Sequence, residues 1–170
     1  FWLGSAMLFF YISVEYAIVG WLVSYFQDTG ILSADYSQLM NSLLWLVIFC
    51  GRMIGAAITG KVSRNKLLLV DGVGFFACFL VMFFSRTPSL IVLGLMGVGL
   101  FMATIYPTAF AFGSDCIRGN DLGGSIMIFT GSAGGILTPA LVGLVAEQAG
   151  IRAGMGLVAV FTALLLLSIV

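Results

Sequence analysis

The 170-residue chain contains no histidine and few charged residues. Histidine is the side chain most often used as a general base near neutral pH and as a metal ligand, so its absence removes the usual centre of both kinds of site. Charged residues make up 8% of the chain, whereas soluble domains carry about 25%. A soluble protein of this length could not bury an apolar content of 61%, because its surface is too large for its volume. We therefore predict that lipid surrounds most of the chain.

Other common kinds of functional site also lack their residues. The numbers of basic and acidic residues are equal, and this zero formal net charge indicates no nucleic-acid partner. Cys50, Cys78 and Cys116 lie far apart, in or beside apolar runs. We interpret them as small buried side chains and predict no metal site. The P-loop, nucleophile-elbow and zincin motifs are absent from the sequence, so we predict neither an enzyme nor a bound cofactor.

Six long apolar segments remain between the polar connections. A helix needs about 20 mostly apolar residues to cross a bilayer. The chain begins at Phe1 and ends inside an apolar run, and we expect it to be a piece of a longer protein. We predict an all-α, multi-pass integral membrane protein in the lipid bilayer, formed by one unit (residues 1–170) whose transmembrane helices cover residues 3–26, 37–60, 67–85, 90–113, 123–146 and 154–170.

The six segments form two similar sets of three. The first two segments of each set contain most of the polar, aromatic, glycine and proline residues, whereas the third is plainly apolar apart from Asp71. Because three helices carry the chain to the opposite side of the membrane, the second set is inverted relative to the first, as is common in transporters. We predict two inverted three-helix repeats, with the plain helices against lipid. Pro107 and Pro139 can kink the glycine-rich fourth and fifth helices, which we expect to pack closely and to act as gates.

Cations in the connections predict the orientation. Cytoplasmic loops carry an excess of lysine and arginine. The third and fifth connections contain only Arg86 and Arg152. We therefore predict that the second and fourth connections and the N-terminus face the cytoplasm, in the plasma (inner) membrane. The second and fourth connections hold the anchoring cations Lys61, Arg64, Lys66 and Arg118.

Glu15 lies near the middle of the first helix. A charged side chain there costs about 2.5–3.5 kcal/mol and should face the protein interior. At helical spacing Tyr11, Glu15, Ile18, Leu22 and Tyr25 share one face, which we interpret as the wall of a wet cavity. A membrane carboxylate either pairs with a neighbouring helix or binds a proton or cation. We favour the second role and take Glu15 as the candidate coupling site.

Arg52 belongs to a polar stripe on the second helix. Arginine keeps its proton, so it needs an anion or water inside the membrane. Glu15 would make Arg52 part of the transport path, whereas Asp71 would make it a brace at the cytoplasmic gate, and the sequence leaves both open. The stripe recurs at spacings of three and four and comprises Gln38, Asn41, Trp45, Ile48, Arg52, Gly55 and Thr59.

Hydroxyl groups accompany the proline steps of the fourth and fifth helices. Tyr106 directly precedes Pro107, and Thr130 lies upstream of Pro139. Such groups either satisfy backbone atoms that proline leaves unpaired or face a solute. We place the following residues on the substrate path: Tyr11, Glu15, Gln38, Asn41, Trp45, Arg52, Tyr106 and Thr130.

Four stretches resemble helices of one transporter family. The sequence "GRMIGAAITGKVSRNKLL" (Gly51–Leu68) is similar to the junction of helices eight and nine in the major facilitator superfamily, in the branch of fucose permease and related hexose transporters. Phe9–Phe26 resembles the seventh helix of that branch, Gly99–Gly113 the tenth and Gly123–Gly143 the eleventh. The resemblance implies the C-terminal six-helix half of a twelve-helix protein, whose N-terminal half would be its partner. Ser63 stands where the family often has an acidic residue, so a charge-relay gate is not implied.

The resemblance implies a secondary transporter that works by alternating access, with the solute between the two halves. Aromatic and amide side chains such as Trp45 suit hydroxyl-rich solutes, so we predict a sugar porter coupled to H⁺ or Na⁺. In that branch the main coupling acids lie in the other half, so the assignment of Glu15 depends on its own position. The alternatives are a proton antiporter for drugs or metabolites with the same fold and a non-transporting scaffold, which has no need for Glu15 and Arg52 at depth.

Overall fold

The computed structural model describes residues 1–117 and 121–170, and its secondary structure there is helical. Arg118, one of the predicted cytoplasmic cations, lies outside the described residues. The helices are α1 (Trp2–Asp28), α2 (Ala34–Ile58), α3 (Arg64–Phe84), α4 (Pro88–Ser114), α5 (Asp121–Ala149) and α6 (Ile151–Ile169), with a short 3₁₀ turn at Asp115–Ile117. All six α-helices are long and apolar enough to cross a membrane. The prediction of an all-α protein with six transmembrane helices is confirmed.

The third helix begins one turn earlier than predicted. Its N-cap is Ser63, so Arg64 and Lys66 lie in the first turn of α3 and not in a loop. Both side chains are exposed, as is that of Lys61. Charged residues shorten an apolar run, but they do not end a helix that continues out of the lipid, because long basic side chains reach the aqueous boundary.

The helices pack as two related sets of three. α1 and α4 are central: α1 packs against α2, α4, α5 and α6, and α4 packs against α1, α2, α3 and α5. The contact of α1 with α5 is repeated by that of α4 with α2, and the contact of α3 with α4 is repeated by that of α6 with α1. This exchange of partners is what an inverted repeat produces, and the predicted repeat is confirmed. The sets differ in one respect, since α5 packs against α6 whereas α2 and α3, both fully described, are not in contact.

Glycines allow the central helices to approach closely. A Cβ atom at Gly99 in α4 would lie 3.2 Å from the carbonyl oxygen of Leu44 in α2, and one at Gly134 in α5 would lie 2.6 Å from that of Phe9 in α1. At Gly134 this distance excludes a side chain, and at Gly99 it is shorter than ordinary van der Waals contact, so the crossings of α1 with α5 and of α2 with α4 both favour small residues. The close packing expected from the sequence is present on both sides of the repeat.

Candidate functional site

A cavity of about 740 Å³ lies between α1, α2, α4 and α5. It is formed by the four helices that contain the polar residues, whereas α3 and α6 contribute no residue to it within the described chain. Its wall combines aromatic faces with a few polar groups, which is the usual composition of a small-molecule site. The lining includes Glu15, Tyr16, Trp45, Arg52, Tyr106 and Ser132.

A second cavity of about 370 Å³ lies between α2 and α4. It shares Arg52 and Tyr106 with the first, so these two residues stand where the cavities meet. Pro107, which removes one backbone donor from α4, also lines it. The remaining polar residues in its wall are the hydroxyl side chains of Thr59, Thr104 and Thr108.

Arg52 faces Glu15. The Glu15 side chain is 8% exposed, whereas Arg52 is exposed in the cavity, and the two charges lie within electrostatic range of each other. No direct ion pair within 4.0 Å joins them in the described chain. The Tyr11 hydroxyl is within electrostatic range of both groups, without a hydrogen bond of ordinary geometry to any described residue. The site therefore holds a carboxylate and a guanidinium that are close but not locked together.

Asp71 has a different partner. Its carboxylate accepts a hydrogen bond from the Thr104 hydroxyl, and both side chains are buried between α3 and α4. Of the two acids that the sequence left open for Arg52, Glu15 is therefore the one that shares its cavity. Asp71 lines neither of the two cavities, and Thr104, which donates to it, lines the smaller one.

The predicted wet face of α1 is wrong for every residue except Glu15. Tyr11, Ile18 and Leu22 are 0% exposed, and Tyr25 is 1% exposed, with its hydroxyl donating to the carbonyl of Phe83 at 3.0 Å. The cavity instead uses the adjacent stripe of α1, which is rotated by about one residue, or 100°. That stripe comprises Ile12, Glu15, Tyr16, Val19 and Gly20. The helical period of 3.6 residues alone could not show which of two neighbouring stripes lines the cavity, because both contain aliphatic and aromatic residues.

Besides Tyr11, three predicted path residues lie outside both cavities. Gln38 is exposed and Asn41 is half-buried, and among the described residues neither lines one of the two cavities. Thr130 donates to the carbonyl of Ile126 in its own helix at 2.8 Å and is likewise outside both linings. Ser132, two residues later, is in the cavity wall although its hydroxyl also bonds within α5. The hydroxyl pattern of α5 indicated the helix but not which of its sides faces the cavity.

Polar contacts also hold the two ends of the bundle. At the end where α2 finishes and α3 starts, Arg64 forms an ion pair with Asp115, both half-exposed. Near the opposite end, the guanidinium of Arg152 lies 5.9 Å from the centre of the Phe83 ring. The Trp21 indole donates to the carbonyl of Pro139 at 3.0 Å and thus joins α1 to the proline step of α5.

The chain resembles known transporters in sequence. No family model matches it. It is 22% identical over 154 residues to a glucose/galactose transporter of Brucella abortus, an alignment that covers 88% of this chain and 37% of the relative. It is 25% identical over 122 residues to the major facilitator superfamily domain-containing protein 4A of Mus musculus, with coverage of 71% and 23%. The chain thus spans less than half the length of these curated relatives.

The fold matches solved structures over nearly its whole length. The structure of FucP, a major facilitator superfamily transporter in the outward conformation, superimposes with a TM-score of 0.82 at 22% identity. The match covers 98% of this chain and 41% of FucP, which is also named as the fucose:proton symporter of E. coli. At this identity the likeness establishes the fold. The predicted resemblance to the major facilitator superfamily is therefore confirmed, and the chain has the fold of one six-helix half of a transporter of that superfamily.

Proposed function

We propose that the chain is the C-terminal half of a secondary active transporter that moves a sugar by alternating access. The observation that carries this proposal is the cavity in which Glu15 and Arg52 face each other between aromatic side chains. The names of similar proteins support it, since they include a glucose/galactose transporter and a fucose:proton symporter.

The cavity wall suits a hydroxyl-rich ring. Trp45, Tyr16 and Tyr106 present flat apolar surfaces that can cover the C–H faces of a sugar. Arg52 supplies only hydrogen-bond donors and an ionised Glu15 supplies only acceptors. Together they can pair with the hydroxyl groups of a sugar, which both donate and accept hydrogen bonds. The volume of about 740 Å³ is ample for a hexose and its water.

Glu15 is the candidate coupling acid. It lies in a spanning helix, lines the cavity and is not locked into a direct ion pair with Arg52. A carboxylate in that position can bind H⁺ or Na⁺ when the solute-loaded site is exposed to one side of the membrane. Neutralising it changes the charge that faces Arg52, which is how coupling ion and solute would influence each other.

The partner of this half is the N-terminal six-helix half of the same protein. The cavities lie between α1, α2, α4 and α5, and the remaining length of the relatives is enough for a second unit of this size. In secondary transporters the solute site lies at the interface of such repeats near the middle of the membrane. We place the N-terminus of the chain and its second and fourth connections in the cytoplasm, in the plasma (inner) membrane.

The test is Glu15→Gln in the full-length protein, reconstituted in liposomes. Coupling free energies are about 1–3 kcal/mol, or about 5–150-fold, so gradient-driven hexose accumulation should fall at least about tenfold. Exchange of labelled hexose across the membrane without a gradient should persist, because the amide keeps the shape of the site. Glu147→Gln is the matched control, since Glu147 is an exposed acid near the end of α5.

Three results would count against the proposal. If Glu15→Gln leaves gradient-driven hexose accumulation unchanged, Glu15 is not the coupling acid. If the parent protein transports no hexose, the proposal that its solute is a sugar is wrong. Accumulation of a drug or metabolite against an opposing proton gradient would support the antiporter alternative.

A further inference from the structure

Arg52 stands between two carboxylates that belong to different helices. On one side it shares the larger cavity with Glu15 of α1. On the other side it shares the smaller cavity with Thr104 of α4, whose hydroxyl is bonded to Asp71 of α3. Each cavity thus leads from Arg52 towards one acid, directly in the first case and through one hydroxyl group in the second.

Asp71 lies at the depth of Arg52. Arg52 is six residues before the end of α2 at Ile58, which is about 9 Å along the helix axis. Asp71 is seven residues after the start of α3 at Arg64, which is about 10 Å from the same end of the bundle. Asp71 therefore offers the guanidinium a second anion without requiring it to move far along the membrane normal.

Thr104 separates Asp71 from the guanidinium. Its methyl group is the nearest atom to the position that a side chain at Gly55 would occupy, so Thr104 packs directly on α2. Its hydroxyl points the other way and donates to Asp71. Gly55 has no side chain, and this absence permits the contact between α2 and Thr104.

Asp71 is only partly satisfied by this bond. Its side chain is 7% exposed, and no cation of the described chain lies within 4.0 Å of it. An ionised carboxylate can accept about four hydrogen bonds, and one neutral hydroxyl leaves most of that capacity unused. A buried acid in this state favours a cation that can reach it.

We propose that Asp71 is the alternate counter-ion of Arg52 during transport and that Thr104 keeps the two apart until Glu15 is neutralised. This inference rests on the proposed function, because the step that releases Arg52 is the binding of the coupling ion to Glu15. With Glu15 neutral, the guanidinium loses the anion that faces it in the larger cavity. It then turns into the smaller cavity, where Thr104 yields its hydrogen bond and Asp71 takes the charge.

Asp71 and Thr104 act here as positioning residues. Neither lines the larger cavity, so neither is expected to contact the solute there. Their effect is on where Arg52 points, and hence on the rate at which the loaded transporter changes conformation. The hexose concentration at half-maximal exchange should therefore be unaffected by changes at either position, whereas the maximal exchange rate should respond.

The experiment compares Asp71→Asn, Thr104→Val and the double variant in the reconstituted full-length protein. Each single variant should lower the maximal rate of hexose exchange about tenfold, the size expected for one hydrogen bond or ion pair to a charged group. The hexose concentration at half-maximal exchange should change by less than about twofold. Because Thr104 acts through Asp71, the double variant should be no slower than Asp71→Asn alone. Thr104→Ser, which keeps the hydroxyl, should restore the rate.

Matched controls separate this role from a loss of packing. Asp35→Asn changes an exposed acid in the first turn of α2, and Thr162→Val removes a buried hydroxyl that bonds only within α6. Neither should alter exchange. Additive losses in the double variant, or normal exchange per folded molecule in Asp71→Asn, would overturn the proposal.

A second measurement does not depend on the solute. Ala56 lines the smaller cavity, and Ala56→Cys in a background without native cysteines reports its accessibility through the rate of alkylation. Asp71→Asn should change that rate several-fold, because the guanidinium of Arg52 no longer turns through the cavity towards residue 71. If the parent transports no hexose, the proposed function is wrong, but the alkylation rate still tests whether Asp71 controls the position of Arg52. An unchanged alkylation rate together with unchanged exchange would reject Asp71 alone.

Discussion

At the residue scale, two opposite charges lie close together without a direct ion pair. Glu15 and Arg52 share a cavity and an electrostatic interaction, yet no direct ion pair joins them in the described chain. A locked ion pair would leave both groups satisfied and unable to respond to a ligand. Two charges that face each other across a cavity can instead bind polar groups placed between them.

Trp45 offers the largest aromatic surface in the cavity. It is 47% exposed there, which leaves its ring free to cover a sugar. We expect Trp45→Ala in the full-length protein to lose roughly 1–2 kcal/mol of apolar contact with the solute. The hexose concentration at half-maximal uptake should rise about tenfold.

Trp2→Ala is the matched control for Trp45→Ala. Trp2 is 78% exposed at the start of α1 and lies outside both cavity linings. Uptake by this variant should equal that of the parent. If Trp45→Ala leaves hexose affinity intact, Trp45 does not contact the solute.

At the scale of helices, the close crossings depend on glycine. Each central helix meets its partner of the other set at a glycine where a Cβ would lie 2.6 Å (Gly134) or 3.2 Å (Gly99) from a backbone carbonyl oxygen. Such contacts transmit movement between helices because they cannot be compressed. Not every glycine is placed in this way, since some face open space or an adaptable side chain.

Gly94 in α4 tests this dependence. A Cβ there would lie 2.8 Å from the backbone nitrogen of Met82 and 3.0 Å from the carbonyl oxygen of Cys78 in α3. Overpacking of this kind costs about 1–3 kcal/mol, so Gly94→Ala should lower the thermal unfolding temperature of the detergent-solubilised full-length protein by several degrees. Gly156→Ala in α6, where a Cβ would lie 4.0 Å from a Phe83 ring atom, should be neutral or stabilising. Equal effects of the two variants would contradict the account.

At the scale of the whole molecule, the inverted repeat places the four polar helices around the cavities and the two plain helices behind them. Helices α3 and α6 pack on α4 and α1 respectively, on the side away from the larger cavity. Amphipathic helices in lipid turn polar groups towards a shared interior, so this arrangement follows from the polarity of each helix.

The orientation of the molecule can be tested with a matched pair of serines. Ser33 and Ser63 are the N-cap residues of α2 and α3, both exposed, on opposite sides of the bundle. With the native cysteines replaced, an impermeant maleimide should label Ser33→Cys in intact cells and Ser63→Cys only after permeabilisation, because we propose that the basic second connection faces the cytoplasm. The reverse labelling pattern would invert the proposed topology.

More of the fold than of the candidate site could be predicted from the sequence. Apolar length and polar distribution predicted the six helices and the repeat, because both are read along one helix at a time. The positions of Trp45 and Arg52 on one stripe of α2 were also predictable, and both line the larger cavity. On α1 the cavity takes the stripe of Tyr16 and not that of Tyr11, since a rotation of about 100° exchanges neighbouring faces of similar composition.

The sequence by itself determined that the chain is embedded in the lipid bilayer and that six helices cross it. It also determined that Glu15, Arg52 and Asp71 must face the interior of the helix bundle. These results follow from the local cost of apolar and charged groups, which needs no knowledge of neighbours. Only the tertiary structure decided which acid faces Arg52. Glu15 shares its cavity while Asp71 is bonded to Thr104, because helix rotation and the glycine-mediated approach of α2 to α4 fix these distances.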